Sequence, residues 1–173
     1  MGYRVLQNVV MTPFIEKQAK DLSDSLPFDI VITSGLRTAE AQAKAMFTKI
    51  ELGDDLIALY ADDSFAQGVI DAYPDLEAAT EFVQSYADLD KGSKHLRGLA
   101  MDIRTRDLSE SNLALLIETV EFFGWRPLLE TIPPHLDVAF PIDQKIKFDK
   151  EVQKKTVIPL LLLIGGALLI SRS

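Results

Sequence analysis

The chain has no cysteine, which excludes disulfides, thiolate zinc sites and cysteine nucleophiles and leaves the redox compartment unreadable. Histidine is scarce: His95 and His135 are the only two. Positive charge is also short, with 18 Lys and Arg against 26 Asp and Glu and a formal net charge of -8. The deficit is uneven. Residues 144–173 hold six basic residues against Asp149 and Glu151, a local +4, which leaves -12 for residues 1–143. So acidic a body argues against nucleic-acid binding. The first residues, Met1 to Asn8, lack the long apolar run and the small-residue cleavage site of a secretory signal. No internal repeat is visible.

At 173 residues the chain has room for one domain with a real core, plus whatever its ends add. Thr12 as N-cap and Pro13 in the first helical position open a helix over residues 12–26, with Phe14, Ala19, Leu22 and Leu26 as its apolar stripe. Phe28 to Thr33 is a β-branched strand that ends at Ser34-Gly35. Thr38 caps a second helix, the alanine-rich stretch from Ala39 to Lys49. Residues 54–89 read as helical pieces broken at Gly68 and at Tyr73-Pro74, and their acidity suits a solvated helical insertion. A strand from Leu99 to Arg104 follows. Ser109 or Ser111 then caps a helix with Leu113, Leu116, Ile117 and Val120 inward, ending at Gly124, and Pro134 to Phe140 is the last core strand. The expectation is an α+β domain with a small antiparallel sheet flanked by helices.

Both histidines lie in segments suited to a metal. The first is in Ser93-Lys94-His95-Leu96-Arg97-Gly98-Leu99-Ala100-Met101-Asp102, the second in Pro133-Pro134-His135-Leu136-Asp137-Val138. Alternate side chains of a strand share a face. Asp102 therefore points away from Met101 and Ile103, and His135 and Asp137 point away from Leu136 and Val138. If the two strands pair, Asp102 and His135 can meet, with His95 entering from the loop and Gly98 letting the chain turn. Two imidazole nitrogens and one carboxylate oxygen leave the fourth position of a tetrahedral zinc open, the arrangement of a catalytic site. One zinc per chain is expected.

The pattern Ser93-x-His95-x-x-Gly98-x-Ala100-x-Asp102, followed by a distal Pro-His, resembles the zinc D-alanyl-D-alanine carboxypeptidase and L-alanyl-D-glutamate peptidase superfamily, which includes VanY-type enzymes and phage endolysins. Ser34-Gly35-Leu36-Arg37-Thr38, with Gln42 after it, is similar to that family's upstream arginine motif, and the order of motifs agrees. The likeness spans residues 28–140. It implies His95, Asp102 and His135 as zinc ligands, Arg37 as the cation for substrate carboxylate or developing oxyanion, and Gln42 and Ser93 lining the pocket. Endolysin-type members carry an acidic general base three residues before the last histidine, and here that position is Ile132. Glu130 is the expected base, provided the segment after it bulges. Asp137 is the competitor, with orientation of a histidine as its other role.

What the resemblance implies is a zinc metallopeptidase hydrolysing amide bonds of peptidoglycan stem peptides; the alternative is a non-catalytic zinc-binding module of the same fold that binds cell-wall peptide or a partner protein. The organisation read from the chain is a peptidase-like domain over 1–143 with the insertion at 54–89, a charged linker over 144–155, and a tail over 156–173. Val157 to Ile170 is an unbroken apolar run between Lys154-Lys155 and Arg172. It reads as a transmembrane helix contacting lipid, though at about 21 Å it is short; a buried hairpin or an oligomer contact is the other reading. An anchored domain without a secretory signal points to a phage lytic enzyme in the virion membrane or host cell envelope.

Overall fold

The computed structural model describes residues 2–152. The chain divides into two compact units, Met1–Phe140 and Pro141–Ser173. The first contains a five-stranded sheet in the order β1-β2-β3-β5-β4, from β1 (Tyr3–Val5), β2 (Ile30–Ser34), β3 (Ala100–Arg104), β4 (Arg126–Thr131) and β5 (Pro134–Ala139). Its helices are α1 (Pro13–Asp24), α2 (Ala39–Glu51), α3 (Leu56–Leu59), α4 (Asp63–Ala72), α5 (Leu76–Asp88) and α6 (Glu110–Phe122). In the second unit residues 142–152 are helical, with Lys145–Asp149 and Lys147–Asp143 pairs one turn apart.

Local chemistry accounts for the helix starts. Thr12, Thr38 and Ser109 each turn a side-chain oxygen onto a backbone N–H of the first turn, at 3.2 Å in every case. Phe14, Ala19 and Leu22 of α1 and Leu26 just beyond it are buried. Phe14 meets Phe140 edge-on, ring centroids 5.5 Å apart, and Trp125 meets the same ring at 5.0 Å. With Met101, Ile103, Leu136 and Val138, all fully buried, they form the core on one side of the sheet.

A second core lies among the helices. Ala43, Met46 and Phe47 of α2 pack with Phe65, Ala66 and Val69 of α4 and Ala79 and Val83 of α5. The stretch expected as a solvated insertion is thus packed onto α2 by its own apolar stripe. Gly68 does not break it. It lies inside α4, where a Cβ would be built into the ring of Phe82, so the glycine serves close helix packing. The break at Tyr73-Pro74 does separate α4 from α5.

The expected fold needs correction on two points. The sheet is mixed rather than antiparallel, because β1 pairs in parallel with β2 while the other pairings are antiparallel. The C-terminal transmembrane helix is not supported: among the described residues no helix is long and apolar enough to cross a membrane. The longest of the first unit, α2, α5 and α6, have 13 residues. They rise about 20 Å, against a hydrocarbon core of roughly 30 Å. The Val157–Ile170 run lies outside the described residues.

Candidate metal centre

Strand register assembles the site. Asp102 of β3 stands opposite Asp137 of β5, and Arg104 stands opposite His135. Across the β4–β5 hairpin, Asp137 faces Leu128 and His135 faces Glu130. One sheet face therefore carries Asp102, His135, Asp137 and Glu130 together, while Met101, Ile103, Leu136 and Val138 between them fill the core. His135 meets Asp102 on the diagonal, Nε2 to Oδ1 at 3.8 Å. His95, buried in the loop before β3, brings its Nε2 to 3.2 Å from the same oxygen and 3.9 Å from Asp137 Oδ1.

Both imidazoles are oriented from behind. His95 Nδ1 lies 2.7 Å from the carbonyl of Gly35, and His135 Nδ1 lies 2.6 Å from that of Pro133. A carbonyl can only accept, so each Nδ1 carries a proton, and in the neutral ring Nε2 turns a lone pair to the site. The close His95 Nε2–Asp102 Oδ1 approach is then two acceptors facing one another. His95 Nε2, Asp102 Oδ1 and Asp137 Oδ1 are indeed buried without a hydrogen-bond partner among the described residues. Buried polar atoms are seldom left so. A second proton on His95 satisfies Nε2 and Asp102 Oδ1 but not Asp137 Oδ1 at 3.9 Å, whereas a cation between the three atoms, which lie within 4.8 Å of one another, satisfies them all. The donor set of imidazole nitrogen and carboxylate oxygen suits zinc. Among the described residues this group of three is the one whose ligand atoms lie so close; His135, the expected third ligand, reaches Asp102 at 3.8 Å but is not one of the group.

Burial works against ionising Asp102, but with a second proton on His95 that ring's hydrogen bond and charge, together with Arg37 and His135, outweigh it and hold the carboxyl well below its usual range. Burial raises Asp137, and neighbouring Asp102 and Glu130 add to the rise against the opposing charges of His95 and Arg37. The two carboxylates facing each other across β3 and β5 are thus unequal: one is a standing anion, and the other takes a proton more readily.

Arg37 donates through Nη2 to Asp102 Oδ2 at 2.5 Å and through Nε to Ser34 Oγ at 3.0 Å. It lines the cleft, and it also fixes which oxygen of Asp102 faces the site. Gln42, expected to line the pocket, is fully buried. Its Oε1 accepts from Ser93 Oγ and its Nε2 donates to Tyr60 Oη, both at 2.9 Å. Gln42 and Ser93 thus hold each other and Tyr60, whose phenol burial pushes up to about 12.

Glu130 reaches the site without a bulge. Ile132 and Pro133 form a two-residue hairpin turn with Thr131 opposite Pro134, so the residue five before His135 lies directly across from it. Glu130 Oε2 is 3.7 Å from His135 Nε2 and accepts from Lys49 Nζ at 2.6 Å. Ile132 sits at the exposed hairpin tip. Lys49 and Tyr60 were not expected here; they come from the end of α2 and from the insertion, and nothing in their local sequence points to a site.

These residues line a cleft of about 1040 Å³, with the sheet face as one wall and α2 and the Tyr60–Phe65 segment on another. Burial and the nearby charges of Arg126 and Arg97 lower the ammonium of Lys94 on its rim, against the opposing pull of Asp137. Compared with protein-family models, curated proteins and solved structures, the chain matches none.

Proposed function

We propose that the chain is a zinc metallopeptidase that hydrolyses an amide bond of peptidoglycan stem peptides, of the carboxypeptidase and endolysin kind its motifs resemble. The observation that carries the reading is the convergence of His95 Nε2, Asp102 Oδ1 and Asp137 Oδ1, without hydrogen-bond partners among the described residues, with His135 and Glu130 beside them on the same face. Zinc held there supplies a Lewis acid that acidifies water and polarises a carbonyl. Glu130, oriented by Lys49, takes the proton of the attacking water and returns it to the leaving amine. Arg37 holds Asp102 as an anion toward the metal and offers the cleft a fixed cation for charge developing on substrate.

A second reading, a non-catalytic zinc-binding module, is favoured by the engagement of Glu130 Oε2 with Lys49 at 2.6 Å. Release of amino groups from purified peptidoglycan, with and without chelator and after zinc is restored, decides between them. Chelator-sensitive release that returns with zinc supports the peptidase. Stoichiometric zinc binding without any release leaves the binding module, and no zinc binding sinks both.

A further inference from the structure

The cleft is basic in a body that is not. Residues 1–143 contain twelve Lys and Arg and twenty-four Asp and Glu; eight of the former line the cleft but only five of the latter. Three of those five, Asp102, Asp137 and Glu130, belong to the metal centre. Five of the eight cations stand beside a carboxylate. Among the described residues Lys91, Lys94 and Arg126 have no such partner.

Two of these three are placed together by the fold. Arg126 begins β4 opposite Ala139, which pairs in turn with Ala100 of β3. This row shares the face of the Asp102–Asp137–Leu128 row. Ala139 lines the cleft and Ala100 is buried, where the metal row carries carboxylates. Lys94 immediately precedes His95, and its carbonyl accepts from Leu99 N at 2.8 Å and Arg97 N at 3.2 Å, which folds the loop down onto the start of β3. Lys94 and Arg126 both line the cleft, and both are exposed. Two exposed cations on one cleft, neither in an ion pair among the described residues and only Lys94 drawn on by Asp137, suit an anion that bridges them.

From this juxtaposition we infer an anion subsite formed by Lys94 and Arg126 beside Ala139, which takes a free carboxylate of the substrate peptide. The inference rests on the peptidase reading for the identity of the ligand. Rows two residues apart along a strand are separated by about 7 Å, and an extended peptide advances about 3.3–3.6 Å per residue. The carboxylate recognised here therefore stands roughly two residues from the amide held at the metal. Substrates with a free carboxylate at that distance are preferred, and the preference weakens with salt because the subsite is open to solvent.

The test is calorimetric binding of a peptidoglycan stem peptide to the zinc-loaded full chain, with the peptide's carboxylates free or all converted to carboxamides. Hydrolysis of both forms is measured in parallel. The free acid is expected to bind about tenfold more tightly, as charge-assisted hydrogen bonds imply. Lys94→Gln with Arg126→Gln removes that difference while stoichiometric zinc is retained, and Lys94→Arg preserves it. A preference for the acid that survives in the double variant overturns the inference, as does equal binding of the two forms by the unaltered protein. If neither form is cleaved yet the preference appears and is lost in the variant, the subsite stands and the peptidase reading falls. If both forms are cleaved alike and the double variant behaves as the unaltered protein does, the peptidase reading stands and the subsite falls.

Discussion

The pair β3–β5 has two faces with opposite demands. On one, Met101, Ile103, Leu136 and Val138 are fully buried against apolar neighbours. On the other, separated by only the thickness of a backbone, Asp102 and Asp137 keep buried oxygens without partners among the described residues. Alternation makes both from the same ten or so residues, so the stability of one face holds in place the unsatisfied groups of the other. Stability and chemistry are neighbours in sequence but separate in space, and single substitutions should divide cleanly between them.

The sharpest contrast is between Asp102→Ala and Leu136→Ala. The first should abolish stoichiometric zinc binding and lower hydrolysis on the order of a thousandfold, the several kcal/mol a Lewis acid supplies. The second should cost about 2–5 kcal/mol of folding stability while the remaining folded protein keeps its zinc affinity. Denaturant melts and metal titrations read the two effects, and a loss of zinc affinity in the folded leucine variant would erase the division. Glu130→Gln should retain zinc and slow turnover about a hundredfold; an unchanged rate passes the proton role to Asp137. Next comes the identity of the third ligand. Asp137→Asn should lower zinc affinity by about 10–100-fold if Asp137 only orients a ligand, and should abolish stoichiometric binding if it is the third ligand, as competition with a chelating dye would show. The smallest effect lies in the second core, where Gly68→Ala should destabilise by about 1–3 kcal/mol from overpacking against Phe82, against a gain of up to about 1 kcal/mol in helix propensity. A more stable alanine variant would mean that α4 and α5 pack less tightly than the structure shows.

The alternating strands and the capped helices were legible because each is written in contiguous residues: Thr12-Pro13, Thr38, and the polar-apolar rhythm of Ala100 to Arg104 and His135 to Ala139. The same rhythm put Asp137 on the face of His135, but His135 rather than Asp137 was expected beside Asp102, and the register sets Asp137 opposite it. What escaped is set by register. β4 holds Pro127 and leaves Leu128 and Leu129 half exposed, as an edge strand tolerates, so it carries no strand rhythm. Without it, Glu130 seemed to need a bulge, although the hairpin sets it across from His135. β1 has only three residues, too few for any pattern. Gly68 looked like a breaker because the ring that fills its missing side chain belongs to another helix.

Gly35 carries a last consequence. Its carbonyl decides which nitrogen of His95 is protonated, and the backbone of Val10 passes so close that a Cβ at Gly35 would strike the Val10 carbonyl. Arg37 N in turn donates to the carbonyl of His95 at 3.2 Å. The two stretches, sixty residues apart in the chain, are therefore halves of a single mould. A designer transplanting the histidine loop into another scaffold would carry across the ligand but not its tautomer, unless a glycine-bearing turn came with it.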